Sequence, residues 1–367
     1  MIQIGRRQAL ATLGIGAAAA LVDACSVNTG SSATGSKTSS GESITVTAYS
    51  GAWGTSFQSA FVKPFEKATG ITVNLVYGAD ADWLTKLNAA GGSNPPFDVS
   101  AFVSESALTA AEGKLIAPLD TGKISSWSEL DSVLVNQSVV GGKPYGIPLT
   151  TGSTGLMYRT DKIKTPPTDW SDIFDPAYYG HIALPPLTYN TGLEFFSELV
   201  KIEGGTLADT AAVDKAFTKL ATLKGHVSAF PADAGTIATD LENDDAWIVP
   251  FFDGRAFALQ ATGQPIGFSY PKPNPVGALT SYYLVEGTTK TAAAYQFLNY
   301  VAAAKYQKPF AEATFYGGGN DTIQYSAAFN AKIKHGYDVY KDFSWVDYTV
   351  ATPNLNAWSQ RWSQIFG

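Results

Sequence analysis

Cysteine is almost missing from these 367 residues: Cys25 is the only one. An intramolecular disulfide and a cysteine-rich metal site are thereby excluded. Histidine is nearly as scarce, and His181, His226 and His335 are too scattered in sequence to suggest a metal cluster. Charged residues make up only 16% of the chain against 45% hydrophobic, and the net charge is −7. That hydrophobic share supports a large core and excludes disorder of the whole chain. The acidic balance argues against nucleic acid, whose phosphates are held by Lys and Arg. No G-x-S-x-G, H-E-x-x-H or G-x-x-x-x-G-K motif occurs, so the common signatures of serine hydrolases, zinc proteases and P-loop proteins are missing.

The N-terminus is informative. Arg6 and Arg7 precede an apolar run from Ala9 to Val22, too short to cross roughly 30 Å of hydrocarbon at about 1.5 Å per residue. It reads as a secretory signal, either an ordinary one or, from the paired arginines, a twin-arginine one. Cys25 follows directly, in Leu21-Val22-Asp23-Ala24-Cys25. This resembles a bacterial lipobox, in which the thiol is acylated and anchors the protein; the other reading is an incidental thiol. Ser26 to Gly41 is nearly all Ser, Thr, Gly, Ala and Asn, the composition of a flexible tether. Residues 1–25 are therefore expected to be signal and lipobox, and 26–42 tether, with the protein exported and held outside the cytoplasmic membrane.

The body alternates strand and helix patterns. Ile44 to Tyr49, Ile71 to Tyr77 and Phe97 to Phe102 read as strands, and Phe57, Phe61, Val62 and Phe65 mark a helix closed by Gly70. Asp82 to Ala90 and Glu105 to Glu112 read as helices, and Trp53 as part of a glycine-containing loop. After a pause near Lys143 to Leu149 the alternation resumes: strands at Gly155–Tyr158, His181–Leu184 and Ala246–Phe251, helices at Trp170–Phe174, Leu193–Ile202, Val213–Leu223 and Thr291–Ala304. Alternation of this kind implies an α/β fold with mostly parallel sheets covered by helices. A length of 367 residues suggests two domains. The expected lobe boundary lies at Leu149 to Gly152, with a return crossing near Pro273 to Leu279.

Several segments together resemble the type 2 periplasmic solute-binding proteins of ABC importers. They are Phe65-Glu66-Lys67-Ala68-Thr69-Gly70-Ile71-Thr72-Val73, Tyr145-Gly146-Ile147-Pro148, the Asp175-Pro176-Ala177-Tyr178-Tyr179-Gly180-His181-Ile182 turn, Phe252-Asp253-Gly254-Arg255-Ala256-Phe257, and Ala293 to Tyr300. Their order matches from about residue 44 to 325, and the nearest branch is the spermidine/putrescine-binding one. The resemblance implies a two-lobed fold with lobe 1 at 43–149 plus 277–323 and lobe 2 at 150–276 plus 324–367. It also implies hinge closure on a small solute, a membrane permease as partner, a monomer, no cofactor and no catalytic residues.

Ligands of open α/β sheets sit beyond the carboxyl ends of strands, and clefts between domains are favoured pockets. This places Tyr49, Trp53, Ser104, Glu105, Thr151, Ser153, Asn190, Thr191, Phe252, Asp253, Thr280 and Tyr282 at the expected site, and alignment with the family adds Tyr316. Aromatic faces suit an ammonium group, at about 0.5–2 kcal/mol each. Tyr49 reads equally as core, and Asp253 equally as a turn-former. At positions where polyamine receptors carry acids this chain has Asn190, Thr191 and Thr280. A dication without matching carboxylates costs several kcal/mol to bury, so a monocationic or zwitterionic, amino-acid-like solute is expected, with Arg159 or Arg255 available for a carboxylate. Rival readings are a ferric-ion or other anion- or metal-binding receptor, for which Tyr178-Tyr179 and Tyr282-Tyr283 are tyrosine pairs, then a polyamine receptor, and more remotely a secreted hydrolase. Glu194 and Glu198 share a helix face at i,i+4, a spacing that would suit a general acid but reads here as exposed helix charge.

Overall fold

The computed structural model describes residues 41–367, which belong to one compact unit, Ser39–Gly367. The expected signal, Cys25 and the tether up to residue 40 lie outside the described residues.

Twelve strands follow in chain order: β1 Ser43–Ala48, β2 Thr72–Tyr77, β3 Val99–Val103, β4 Val139–Val140, β5 Lys143–Pro144, β6 Gly146–Arg159, β7 Ile182–Ala183, β8 Val227–Ala229, β9 Ile248–Phe252, β10 Ile266–Ser269, β11 Val276–Leu284 and β12 Gly317–Gly318. Strands β4 and β5 form a separate ribbon. The others make one sheet in the order β2-β1-β3-β11-β6-β9-β7-β8, with β10 and β12 also paired to β6. Its outer strands are parallel, as the alternation predicts: β1 with β2 and β3, β7 with β8 and β9. The two strands in the middle, β6 and β11, run antiparallel to all their neighbours.

Two large cores explain this division. Ile44, Val46, Phe57, Phe65, Val99, Tyr282 and Phe297 belong to the first core; Leu156, Trp170, Ile182, Phe195, Ile248 and Trp358 belong to the second. β6 contributes Ile147 and Leu149 to the first and Leu156 and Tyr158 to the second, while β11 gives Val276 to the second and Tyr282 to Leu284 to the first. Each crossing strand is thus shared by two lobes. β6 is buried over its whole length except at Arg159, which is why its sequence, rich in Thr and Gly, lacks the alternation of a half-exposed strand. A bulge between Thr280 and Ser281 breaks the β11–β6 register at the waist.

Local signals behave as the sequence indicates at Gly70. It adopts φ +74° and donates its N–H to the Glu66 carbonyl at 2.9 Å, closing the helix Lys63–Thr69. That helix continues two earlier segments, Gly51–Phe57 and a wider-wound turn at Gln58–Val62. Trp53 therefore lies in a helix and not in the expected loop. The helix expected at Thr291–Ala304 is Thr291–Ala302, followed after Ala303 by a second, Ala304–Thr314. The strand–helix alternation does not mark the last helix, Tyr348–Phe366, whose Trp358 and Trp362 fill the second core and whose other side meets the helix Ser104–Glu112 of the first lobe.

One side-chain bond ties β11 to β1: the Tyr282 hydroxyl donates to the Thr47 carbonyl at 2.9 Å, with the ring stacked on Phe57 at 4.9 Å. Tyr282→Phe leaves that buried carbonyl unpaired and is expected to lower stability by about 1–3 kcal/mol, read by urea denaturation. A variant as stable as the parent would contradict this role.

Candidate functional site

The carboxyl ends of β1, β2 and β3 meet at one edge of the first lobe. Their side-by-side register brings together residues distant in sequence: Tyr49 after β1, Asp80 after β2, and Val103 to Glu105 after β3. The Tyr49 hydroxyl donates to Asp80 Oδ1 at 2.7 Å and the Val103 N–H to Asp80 Oδ2 at 2.9 Å. Burial raises the Asp80 carboxyl above its ordinary range despite the bonds from Tyr49, Val103 and Ser106. Burial likewise raises Glu105, and the charge of Asp80 adds to it. Thr280 reaches the Tyr49 hydroxyl from β11. Trp83 stacks obliquely on Tyr49 at 5.3 Å, and its buried Nε1–H has no partner.

The second lobe supplies the facing wall. Glu194, in the helix Asn190–Ile202, is 2% exposed and accepts a short hydrogen bond from the Thr154 hydroxyl of β6. Burial pushes its carboxyl up to about 8, the Thr154 bond opposing and the charge of Glu105 adding. Tyr348, at the start of the last helix, feels both Glu194 and Glu105. Glu105 thus feels the charge of Asp80 in its own lobe, and Glu194 in the other lobe feels the charge of Glu105. A cavity of 320 Å³ opens beside Ser104, lined among others by Ala107, Tyr145, Tyr283, Trp345 and Tyr348.

A second cluster lies where β6 crosses the waist. Asp253 is fully buried at the start of the helix Asp253–Ala261. It accepts from the Ser153 hydroxyl at 3.3 Å, the Gly254 N–H at 2.7 Å and the Tyr270 hydroxyl at 3.4 Å. Burial pushes its carboxyl up to about 7 against those bonds. Tyr316 packs over Gly152 and Gly254, so closely that a Cβ would lie 2.7 Å and 2.6 Å from the ring. Thr151 and Thr191 are fully buried with hydroxyls that have no partner among the described residues, an arrangement that leaves two donors unused.

Of the residues singled out from sequence, Tyr49, Glu105 and Thr280 gather in the first cluster and Ser153, Asp253 and Tyr316 in the second. Ser104 and Asn190 begin the helices Ser104–Glu112 and Asn190–Ile202, and Phe252 is half-buried at the end of β9. Two placements differ from expectation. Trp53 is a core residue, stacked on Phe57 at 5.2 Å and set edge-on to Phe310 at 4.9 Å, because its loop is the first turn of a helix. Tyr282 is also core, its hydroxyl spent on Thr47. Glu194 and Glu198 are both buried, contrary to exposed helix charge; Glu198 pairs with Lys201 at 2.7 Å. Asp80 was not singled out from the sequence, and it gathers with Tyr49 at the first cluster. Arg159 bonds Asp161 and the Leu241 carbonyl, a structural tie that removes it as a carboxylate clamp. Among the expected tyrosine pairs, Tyr179 stacks on His226 at 3.9 Å and Tyr283 shares a bond with Ser138. Among the described residues no group of three His, Cys, Asp or Glu side chains is placed to hold a metal ion.

Two predictions follow from the unpaired and uncompensated groups. Glu194 and Asp253 bind protons more tightly folded than unfolded, so their stabilising effect is complete below about pH 4 and is lost as pH rises through about 7 to 8. The ligand-free melting temperature should fall from pH 5 to pH 8, and less steeply in Glu194→Gln; equal slopes would contradict the assignment. Thr151→Val with Thr191→Val removes two unsatisfied hydroxyls at constant shape. It should leave the ligand-free melting temperature unchanged or higher while weakening solute binding, measured by calorimetry.

Comparison with known proteins agrees with this architecture. The chain is 23% identical to the spermidine/putrescine-binding periplasmic protein of Escherichia coli (strain K12) over 205 residues, 55% of this chain and 57% of that one. It thus matches little more than half the length of that relative. It is 24% identical over 284 residues to the gamma-aminobutyric acid-binding protein of Pseudomonas aeruginosa, covering 75% of this chain and 76% of the other. The crystal structure of an ABC transporter substrate-binding protein from Bradyrhizobium japonicum superposes with a TM-score of 0.74 at 22% identity, over 89% of this chain and all of that one. Residues 60–336 match the family model described as bacterial extracellular solute-binding protein, and the chain belongs to that family.

Proposed function

We propose that this protein captures a small organic amine between its two lobes for delivery to an ABC permease, by binding alone and without covalent chemistry. The observation that carries the reading is the set Asp80, Glu105 and Glu194, the first two half-buried at strand ends of one lobe and the third buried in the other, with Glu105 feeling the charge of Asp80 and Glu194 that of Glu105. No ion pair among the described residues neutralises any of the three. A site of uncompensated carboxylates favours a cation. Aromatic rings at Tyr49, Trp83 and Tyr348 suit an ammonium group, and the idle hydroxyls of Thr151 and Thr191 suit the polar remainder. The polyamine and gamma-aminobutyrate receptors among the relatives support the same class of solute. The sequence argument that a diamine lacks matching carboxylates weakens here, since acids at Asp80 and Glu194 stand in for those missing at Asn190, Thr191 and Thr280.

In this reading the lobes are 43–149 plus 277–323 and 150–276 plus 324–367, with β6 and β11 flexing between them. The protein works as a monomer outside the cytoplasmic membrane, held by a lipid on Cys25. Among the described residues no helix is long and apolar enough to cross a membrane.

A thermal-shift panel of putrescine, spermidine, 4-aminobutyrate, neutral sugars, phosphate and Fe(III) tests the reading. An amine at a hundredfold excess over its Kd should add about 2.7 kcal/mol of stability, and Glu105→Gln should weaken that amine at least tenfold. A rise confined to Fe(III) or phosphate would overturn the solute class, and turnover of the bound molecule would overturn binding as the sole activity.

A further inference from the structure

Glu194 is surrounded in a way that determines its charge. Its recorded hydrogen bond is to the Thr154 hydroxyl, and the ionisable groups it feels are Glu105 across the cleft and the phenols of Tyr189 and Tyr348. Among the described residues, the elements packed around its helix bring no cation to it: Arg159 of β6 is held by Asp161 and the Leu241 carbonyl. On the helix Thr210–Ala221, Asp214 pairs with Arg361 of the last helix at 2.7 Å, Lys219 lies over the Phe174 ring at 4.7 Å, and Lys215 is exposed. Asp172, in the turn Trp170–Phe174, accepts from the Thr168 and Asp169 N–H groups. On β11, Tyr282 and Tyr283 are bonded to Thr47 and Ser138. Lys201 of its own helix is taken by Glu198, and Arg255 faces Tyr189 and Tyr316. A carboxylate buried against another carboxylate, with no cation beside it, holds a proton.

We propose that the cleft exchanges a proton for its amine: the carboxyl of Glu194 is neutral in the empty receptor and ionises as an ammonium group takes its place beside Glu105. The O–H bond of the carboxyl breaks, the proton leaves to solvent, and the ammonium brings the same unit of charge in. At Glu194 the enclosed charge is therefore unchanged, and seating the one ammonium group there adds no net buried charge. The proposal rests on the amine reading above and adds a direction: capture strengthens as pH rises and releases about one proton below the carboxyl's titration point. Acidification expels the solute.

The test is calorimetry of putrescine binding to the full chain at pH 7 in two anionic buffers of different ionisation enthalpy, repeated from pH 6 to pH 9. The expected results are release of close to one proton, a roughly fiftyfold gain in affinity between pH 6 and pH 8, and a plateau above. Glu194→Gln should abolish the release and flatten the profile; Glu198→Gln, on the same helix but paired with Lys201, should keep both. Thr154→Val, which removes the donor favouring the ionised form, should move the rise to higher pH. Infrared spectra of the ligand-free protein at pH 7 provide a readout without solute: a protonated-carboxyl band that disappears in Glu194→Gln. Putrescine binding with equal heats in both buffers, or absence of that band, overturns the exchange alone. If neither putrescine nor 4-aminobutyrate binds at any pH, the amine reading and the exchange fall together.

Discussion

The structure is organised around one constraint: β6 must stay buried on both faces for nearly its full fourteen residues while passing from one core to another. A strand with that burden needs partners on both edges for its backbone, and it has them, β11 and β12 toward the first lobe, β9 and β10 toward the second. At the waist, where neither core is thick, its side chains shrink to Thr150, Thr151, Gly152, Ser153 and Thr154. Small polar residues are what a crossing strand can place there without filling the gap between lobes. The same residues then serve the site: Ser153 holds Asp253, Thr154 holds Glu194, and Gly152 makes room for the Tyr316 ring.

The electrostatics follow from where the lobes' strands end. Asp80 and Glu105 are brought together because β2 and β3 flank β1 with their carboxyl ends aligned, and Glu194 meets them from a helix on the opposite lobe. Each of these acids would be unremarkable on a surface. Drawn away from water they hold their protons more tightly, and desolvation is the largest cause in every case. A cation supplies what the protein's own side chains leave out.

Much of the fold was legible because its signals are local. The alternation of β1, the left-handed glycine at Gly70 and the turn at Asp175–Gly180 each depend on a few neighbouring residues. The site was legible in part. Tyr49, Glu105 and Asp253 stand just past strand ends, where a strand-end rule finds them. Asp80 sits in Ala79-Asp80-Ala81-Asp82, which reads as an acidic first turn of a surface helix; only the lateral register of three strands turns it inward. Glu194 was not legible: with Ser197, Glu198 and Lys201 it forms the polar stripe of its helix, which reads as solvent-facing, and only packing between distant segments buries it. Trp53 failed for a related reason, since flanking glycines suggested a loop where tertiary packing against Phe57 and Phe310 holds a helix.

The last helix carries a consequence of a different kind. Trp358 and Trp362 complete the second core from within the final ten residues of the chain. That core is assembled from segments that begin near residue 150 and close only with the C-terminal turn. The second core is thus closed by residues about two hundred positions away from those that open it, so its contacts are largely non-local and it should form more slowly than a core built from sequence neighbours.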